Sequence, residues 1–103
     1  MARKGYHEEL LVKTKLQMTY GDDNVIKVAI GSFGGDFICV RNGRVDLVVE
    51  VKGCHGIKYY PSARDEAQKE RIKKFCEENH CNGQVWVKYP FKAIEVRPIW
   101  SIN

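Results

Sequence analysis

The sequence predicts an α/β fold, in which helices flank a central mixed β-sheet that is built around an antiparallel hairpin. Two apolar runs, residues 36–40 and 45–52, are joined by a short turn with Asn-Gly at 42–43, which is a strong hairpin signal. A polar helical segment then separates the hairpin from later strands, so that a strand can return parallel to its neighbour. With 103 residues, the chain is expected to form a single domain over 1–103.

The first half of the chain predicts one helix and one short strand before the hairpin. Residues 5–18 carry apolar side chains at helical spacing, and the polar run 20–24, which contains a glycine, ends this helix. Residues 25–30 are rich in β-branched side chains and predict a strand. The glycine-rich segment 31–35 follows as a loop that leads into the first hairpin strand.

The second half of the chain predicts one helix and two strands. The helix is expected from about residue 62 or 64 to residue 79. Ser62 is a candidate N-cap, and Asp65 three positions later completes an arrangement like a capping box. Residues 85–89 and 93–96 have the composition of strands and complete the predicted sheet.

Composition and charge limit the classes of function. The net charge of +4 is compatible with nucleic-acid binding, but it does not establish such binding without clustering of the charges. No apolar run approaches the ~18 residues of a membrane span, and the polar N-terminal residues do not resemble a signal peptide. We therefore expect a cytoplasmic protein that does not enter a membrane. The four cysteines lack CxxC spacing and are expected to be free thiols rather than zinc ligands or disulfides.

Charged residues on the two hairpin strands form the most specific pattern of the chain. Asp36 begins one strand, while Glu50 and Lys52 flank Val51 on the next. Two carboxylates and a backbone carbonyl suit Mg²⁺, which prefers oxygen ligands and keeps several waters. The Lys52 ammonium can orient a water or offset charge on a phosphate. Because the second strand is apolar on both faces, it is expected to be buried, and a buried charge needs a partner or a metal.

The hairpin turn decides whether the two carboxylates can meet. A two-residue turn without a bulge would place Asp36 and Glu50 on opposite faces of the sheet. A three-residue loop over 41–43 sets Asp36 opposite Val48, so that Glu50 becomes its diagonal neighbour on the same face. We therefore predict this loop or an equivalent bulge. Asp46, a rival acid on the strand face of Glu50, is next to the turn and is expected to be a solvated edge residue.

These residues resemble the PD-(D/E)xK nuclease superfamily and, within it, the archaeal-type Holliday junction resolvases of the Hjc family. The opening Arg-Lys-Gly at 3–5 with Glu9 four residues later, the Gly-Ser pair at 31–32 and the strand 87–90 are similar to that family. The resemblance implies a restriction-endonuclease-like core. It also implies a homodimeric endonuclease that uses Mg²⁺, for which Mn²⁺ can substitute, and that resolves four-way DNA junctions.

The resemblance also implies roles for individual residues. The metal ligands would be Glu9, Asp36, Glu50 and Val51. The catalytic residues would be Glu9, Ser32, Asp36, Glu50 and Lys52. Glu8 stands beside Glu9, and the preceding Lys-Gly pair favours Glu9 as the helix ligand. The chain departs from the family at Gly35, where a proline often precedes the acid, and the spacing between the two strand acids is about one residue longer than expected.

Contacts to DNA are predicted on basic, aromatic and amide side chains near this site. The candidates are Arg3, Lys4, Lys58, Tyr59, Arg64 and Gln68. Tyr59 can equally serve loop packing, and Gln68 can equally be a surface residue. Two alternatives remain at this point: another PD-(D/E)xK nuclease, such as a nickase or repair nuclease, or a DNA-binding module of this fold without catalysis. Apolar residues near the C-terminal end are expected in part at a dimer interface, namely Trp86, Phe91, Ile94, Ile99 and Trp100.

Overall fold

A computed structural model describes residues 6–28 and 35–102 of the chain. Its elements are, in chain order, α1 (Tyr6–Tyr20), a short 3-10 turn (Asp22–Asn24), β1 (Val25–Lys27), β2 (Phe37–Arg41), β3 (Arg44–Gly53), α2 (Ala63–Asn79), β4 (Asn82–Lys88) and β5 (Glu95–Trp100). The strands form a five-stranded sheet in the order β1-β2-β3-β4-β5, in which β3 and β4 are parallel and the other neighbours antiparallel. The predicted mixed sheet with an antiparallel hairpin and flanking helices is therefore confirmed.

Several element boundaries differ from the prediction. β1 ends at Lys27, whereas the predicted strand ran to residue 30, and residues 29–34 lie outside the described part of the chain. β4 begins at Asn82, three residues before the predicted start, and β5 runs over 95–100 rather than 93–96. No helix within the described ranges is both long and apolar enough to span a bilayer.

The caps of α2 fix where this helix begins and ends. The Ser62 hydroxyl accepts a hydrogen bond from the Asp65 N–H at 3.1 Å, and the Asp65 carboxylate accepts one from the Ser62 N–H at 3.0 Å. The predicted capping box is thus present. At the other end His80 adopts the left-handed conformation, with φ 53° and ψ 51°. The chain then enters β4 directly, which lies parallel to β3.

Two apolar layers lie on opposite faces of the sheet. The layer under α1 is formed by Val12, Leu16, Val25, Phe37, Cys39, Leu47 and Val49. The layer under α2 is formed by Val48, Ile72, Cys76 and Cys81. Because strand side chains alternate, Glu50 lies on the face of Val48, which α2 covers. The four cysteines are free, as predicted, and three of them are buried in these layers.

A glycine allows α2 to lie close to β4. A Cβ atom added at Gly83 would lie 2.9 Å from the Cys76 Sγ and 3.1 Å from the Ile72 Cγ2. These distances are shorter than ordinary carbon contacts, so a larger residue would push the helix away from the sheet. The spacing between α2 and the sheet therefore depends on this position.

The hairpin turn has two residues, so the prediction of a three-residue loop or an equivalent bulge is met by its second form. Asn42 and Gly43 both have positive φ, at 54° and 75°, as a type I′ turn requires, and the flanking arginines pair with each other. A β-bulge follows, because Cys39 pairs with Leu47 while the next residue pairs with Val45. The residue left over on β3 is Asp46, which provides the equivalent bulge that the sequence required.

The bulge sets the register of the two acids. Phe37 pairs with Val49, so that the next position along the register places Asp36 opposite Glu50. The prediction that Asp36 faces Val48 is therefore wrong by two residues. A shift of two residues preserves the face on which a strand side chain lies, so the two carboxylates share a face, as predicted.

Asp46 is anchored to α1 and not simply solvated. Its Oδ2 accepts a hydrogen bond from the Tyr20 hydroxyl at 2.5 Å and lies 3.7 Å from the Arg41 Nε. The Arg41 guanidinium lies 4.8 Å from the centre of the Tyr20 ring. Burial and this hydrogen bond raise the pKa of Tyr20 to about 12, so the phenol remains a donor throughout the physiological range. The Asp46 side chain is 39% exposed, as expected for an edge residue, but it is also bound to Tyr20, which was not predicted.

Candidate active site

Asp36 and Glu50 lie together where β2 begins beside the middle of β3. Glu50 is only 4% exposed, and among the described residues its buried Oε2 atom has no hydrogen-bond partner. Asp36 is better satisfied, since its Oδ2 accepts a hydrogen bond from the Val51 N–H at 2.7 Å. A buried carboxylate oxygen without a partner is energetically costly. Glu50 therefore has one buried oxygen that a bound proton or a cation would stabilise.

The pKa values of this pair move apart. Burial, a hydrogen bond with Asp36 and the charge of Asp36 raise the pKa of Glu50 to about 9. Burial also acts to raise the pKa of Asp36, but hydrogen bonds from Glu50 and the Val51 N–H, with Lys27 and Glu9 nearby, lower it overall. The pair thus shares one proton near neutral pH, and Glu50 is the more basic of the two groups. A cation beside both carboxylates would replace it.

The Val51 backbone points toward the same site. In an extended strand the N–H and C=O of one residue project to the same side. Because the Val51 N–H reaches Asp36, the Val51 carbonyl projects toward Asp36 as well. Among the described residues, the two carboxylates and this carbonyl offer hard oxygen ligands to a cation, and this kind of ligand fits Mg²⁺.

Lys52 lies on the face of Glu50 and is held by α2. Its Nζ is 2.8 Å from the Gln68 Oε1 and 2.9 Å from the Asp65 Oδ1. Gln68 thus points from its helix toward the predicted catalytic lysine. Asp65 was predicted as a capping residue but not as a partner of Lys52. The sequence contained no local signal for this contact, because it depends on how α2 crosses the sheet.

Glu9 is placed beside Asp36 by a lysine that the sequence did not single out. The Lys27 Nζ lies 2.5 Å from the Glu9 Oε1 and 3.6 Å from the Asp36 Oδ1. Lys27 pairs with Phe37 across β1 and β2, and its ammonium lies 5.2 Å from the centre of that ring. A lysine on an edge strand is ordinarily solvated, so the sequence alone did not indicate that Lys27 contacts the site. The contact follows from the pairing of β1 with β2. Glu8, by contrast, lies against Gly53.

The predicted third carboxylate ligand, Glu9, lies next to Asp36 and shares Lys27 with it. Within residues 6–28 and 35–102, no group of three or more His, Cys, Asp and Glu side chains is arranged to hold a metal ion. Glu9 instead forms an ion pair with Lys27. Its role as a metal ligand stays a prediction, whereas Asp36 and Glu50 are already adjacent.

The fold can now be compared with known proteins. No family model matches the chain, and no curated protein is significantly similar in sequence. Among solved structures, Hjc of Archaeoglobus fulgidus, a Holliday junction resolvase from an archaeal hyperthermophile, superposes with a TM-score of 0.74. The two chains are 23% identical, and the match covers 94% of this chain and 74% of the Archaeoglobus chain. This chain has the Hjc fold.

The Hjc fold confirms the predicted core. Of the six residues predicted to contact DNA, the structure describes Lys58, Tyr59, Arg64 and Gln68. Lys58 and Arg64 are exposed, as phosphate contacts require. Tyr59 is partly buried: its hydroxyl donates to the Asp65 Oδ2 at 2.9 Å, and its ring lies 5.1 Å from the Arg97 guanidinium. This geometry serves loop packing, while the neighbouring Tyr60 is exposed. Other predicted residues, Arg3, Lys4 and Ser32, lie outside the described residues.

Proposed function

We propose that this protein is a structure-selective endonuclease that resolves four-way DNA junctions by metal-dependent phosphodiester hydrolysis. The observation that carries the proposal is the buried Asp36–Glu50 pair, with an unpartnered oxygen on Glu50 and with Lys52 on the same strand face. The likeness of the fold to the Archaeoglobus fulgidus resolvase supports branched DNA as the substrate.

The cofactor in this proposal is Mg²⁺, for which Mn²⁺ can substitute. Asp36, Glu50 and the Val51 carbonyl would hold it, and Glu9 would join them on release from Lys27. When bound, the metal would polarise a phosphate oxygen and lower the pKa of a bound water. Asp36 is kept in place for this role by the Val51 N–H.

Lys52 supplies the positive charge that faces the scissile phosphate. Its ammonium donates to an attacking water or offsets the negative charge that develops on the phosphate oxygens. Because it projects from the same face as Glu50 two residues away, water and phosphate can contact both groups. Ser32 is proposed to approach the same phosphate.

Binding of a junction is proposed to rest on shape and phosphate contacts. The mildly basic chain offers Lys58 and Arg64, together with Arg3 and Lys4, for contacts that do not read sequence. A four-way junction is nearly two-fold symmetric, so a symmetric homodimer would supply two sites for paired nicks. Of the apolar residues predicted in part at an interface, Phe91 is 99% exposed, whereas Trp86 and Ile94 pack against the core. A cytoplasmic location belongs to the same proposal.

Substitution of Glu50 tests the proposed chemistry. Glu50→Gln keeps the size of the side chain but removes a charged ligand, so we expect junction cleavage in Mg²⁺ to fall at least 100-fold while junction binding in a gel-shift assay is retained. Glu77→Gln, an exposed residue of α2, is the matched control and should cleave normally. Normal cleavage by Glu50→Gln would exclude the proposed site.

A substrate panel separates this function from its alternatives. Purified protein should cleave a four-way junction in preference to a flap, linear duplex or single strand of the same sequence. Equal or faster cleavage of nicked or flapped duplex would instead identify a nickase or repair nuclease. Binding without metal-dependent cleavage of any substrate would identify a non-catalytic DNA-binding module.

A further inference from the structure

Within residues 6–28 and 35–102, the Lys52 ammonium has two acceptors, and both come from the first turns of α2. Asp65 and Gln68 are three residues apart and therefore lie on one side of the helix. Their oxygens lie 2.9 Å and 2.8 Å from the Lys52 Nζ. The side chains of Lys52 and Asp65 are only 23% and 18% exposed, so this contact is largely shielded from water. An ammonium has three N–H bonds, and these two contacts leave one for a further acceptor.

The two oxygens of Asp65 have different partners. Its Oδ2 accepts hydrogen bonds from the Ser62 N–H at 3.0 Å and from the Tyr59 hydroxyl at 2.9 Å. Its Oδ1 contacts Lys52. One carboxylate thus belongs to the helix cap through one oxygen and to the predicted catalytic lysine through the other. Helix capping alone requires only the first of these contacts.

Tyr59, which donates a hydrogen bond to Asp65, is itself held by Arg97 on the edge strand β5. The Arg97 Nη2 on β5 donates to the Tyr59 carbonyl at 3.2 Å, and its guanidinium stacks over the Tyr59 ring. The Tyr59 N–H donates to the Tyr89 hydroxyl at 3.4 Å. The carboxylate of Asp65 is therefore held on one side by its own helix and on the other by an anchored loop.

We infer that Asp65 is a positioning residue for Lys52: with Gln68 it fixes the ammonium beside Glu50 and directs its remaining N–H bond toward the substrate. This inference rests on the proposed function, in which Lys52 is the catalytic lysine. Asp65 acts through Lys52 and does not contact the substrate. Tyr59 helps to position Lys52 indirectly, because its hydroxyl donates a hydrogen bond to Asp65.

Replacement of Asp65 by asparagine removes one of its two roles. Asparagine has an NH₂ donor in place of one carboxylate oxygen, so an acceptor can face the cap or Lys52 but not both. We expect Asp65→Asn to lower the single-turnover rate of junction cleavage at least tenfold, with an unchanged Kd for the junction. Ser62→Ala is the matched control, because it removes a capping hydrogen bond but leaves the Asp65 carboxylate in place. Its melting temperature should fall, while its cleavage rate stays within twofold of the wild type.

A second measurement does not depend on cleavage. Nitrogen NMR of the lysine ammonium groups should show a Lys52 signal in the wild type at low temperature, because its hydrogen bonds slow exchange with water. The signal should be lost in Asp65→Asn and retained in Ser62→Ala. If the wild-type protein cleaves no junction, the proposed function fails, but the signal still decides whether Asp65 positions Lys52.

Three results would overturn the inference. In the first, Asp65→Asn keeps both the cleavage rate and the Lys52 signal. In the second, Ser62→Ala loses both to the same extent, which would identify capping as the sole role. Should Asp65→Asn fail to fold, Asp65→Glu replaces it, because glutamate is the usual residue at this capping position. The longer side chain should shift the Lys52 signal and lower the rate several-fold, and unchanged values are the third contradicting result.

Discussion

At the scale of single residues, the protonation of Glu50 shows how the site is balanced. Its carboxyl group is buried beside Asp36, and one of its oxygens has no partner. Near neutral pH the folded protein without metal therefore keeps a proton that the unfolded chain has lost. This proton is the counterpart of the cation that the proposed function requires, and a metal would compete with it.

The first prediction concerns stability and pH. Because the pKa of Glu50 is raised from 4.5 to about 9 on folding, the folded state binds more protons between these values, and stability falls as pH rises through this range. Glu50→Gln should therefore raise the free energy of unfolding at pH 8 without metal by about 1–3 kcal/mol, the cost of an unsatisfied buried group.

Urea unfolding in a chelator at pH 4 and pH 8 measures this effect. The difference between wild type and Glu50→Gln should nearly disappear at pH 4, where the carboxyl group is mostly protonated in both states. Added Mg²⁺ should stabilise the wild type and not the variant. A variant that is less stable than the wild type at pH 8 would contradict the assignment of the proton to Glu50.

The second prediction concerns Lys27. Its ammonium lies within 3.6 Å of the Asp36 carboxylate and pairs with Glu9, so it competes with a divalent cation for both. Lys27→Gln makes the site more negative, and Mn²⁺ should bind several-fold more tightly in calorimetry. Lys69→Gln, which removes a lysine paired with Glu66 on the surface of α2, should leave the affinity unchanged. Weaker binding by Lys27→Gln would show that the lysine supports the metal site.

At the scale of elements, a bulge and not the turn brings the acids together. The Asn-Gly pair dictates a tight two-residue turn, since both positions adopt positive φ. The extra residue enters at Asp46, which is tied to α1 through Tyr20. The bulge that keeps Asp36 and Glu50 on the same face is therefore held by the contact between Tyr20 and Asp46, which are distant in sequence.

The third prediction is that Tyr20 and Asp46 are energetically coupled. Their hydrogen bond of 2.5 Å should make Tyr20→Phe and Asp46→Ala each destabilising by about 1–2 kcal/mol. The double variant should be more stable than the sum of the single effects predicts, with a coupling of about 1 kcal/mol. Asp23→Ala, on the exposed 3-10 turn, should be nearly neutral. Strict additivity in urea unfolding would show that this contact does not hold the bulge.

Local patterns allowed some elements to be predicted, whereas contacts between elements were not accessible. The capping box of α2 was predictable, because Ser62 and Asp65 are neighbours whose roles depend on three residues of chain. The alternation of strand side chains required one extra residue in the hairpin, but it did not indicate that this residue is Asp46. Lys27 and the second role of Asp65 were missed, since each depends on pairing between distant segments. Glu9, Asp36, Glu50 and Lys52 as a functional set stay a prediction.

At the scale of the whole molecule, the site lies between two helices on opposite faces of one sheet. α1 brings Glu9 from one side, and α2 brings Asp65 and Gln68 from the other. The parallel pair β3–β4, which α2 connects, is the part of the sheet that carries Glu50 and Lys52. The proposed chemistry therefore depends on the relative placement of both helices.

The fourth prediction concerns binding of DNA by the whole molecule. Lys58 and Arg64 are exposed, and each is proposed to contact one phosphate. Lys58→Gln and Arg64→Gln should each weaken junction binding regardless of sequence and reduce the slope of log K against log salt by about 0.9. Lys69→Gln, whose ammonium is paired with Glu66, should leave the slope unchanged. Unchanged slopes in the first two variants would place the DNA elsewhere.

The close approach of α2 to β4 at Gly83 determines how this helix is tilted relative to the sheet. Its 17 residues extend about 25 Å at 1.5 Å per residue. Gly83 touches the helix at Ile72 and Cys76, in its second half, whereas Asp65 and Gln68 lie in its first half. A methyl group at position 83 would push the second half of α2 away from β4. The first half of the helix would then tilt and move Asp65 and Gln68 away from Lys52. The absence of a side chain at Gly83 thus helps to set the position of the two acceptors that hold the Lys52 ammonium.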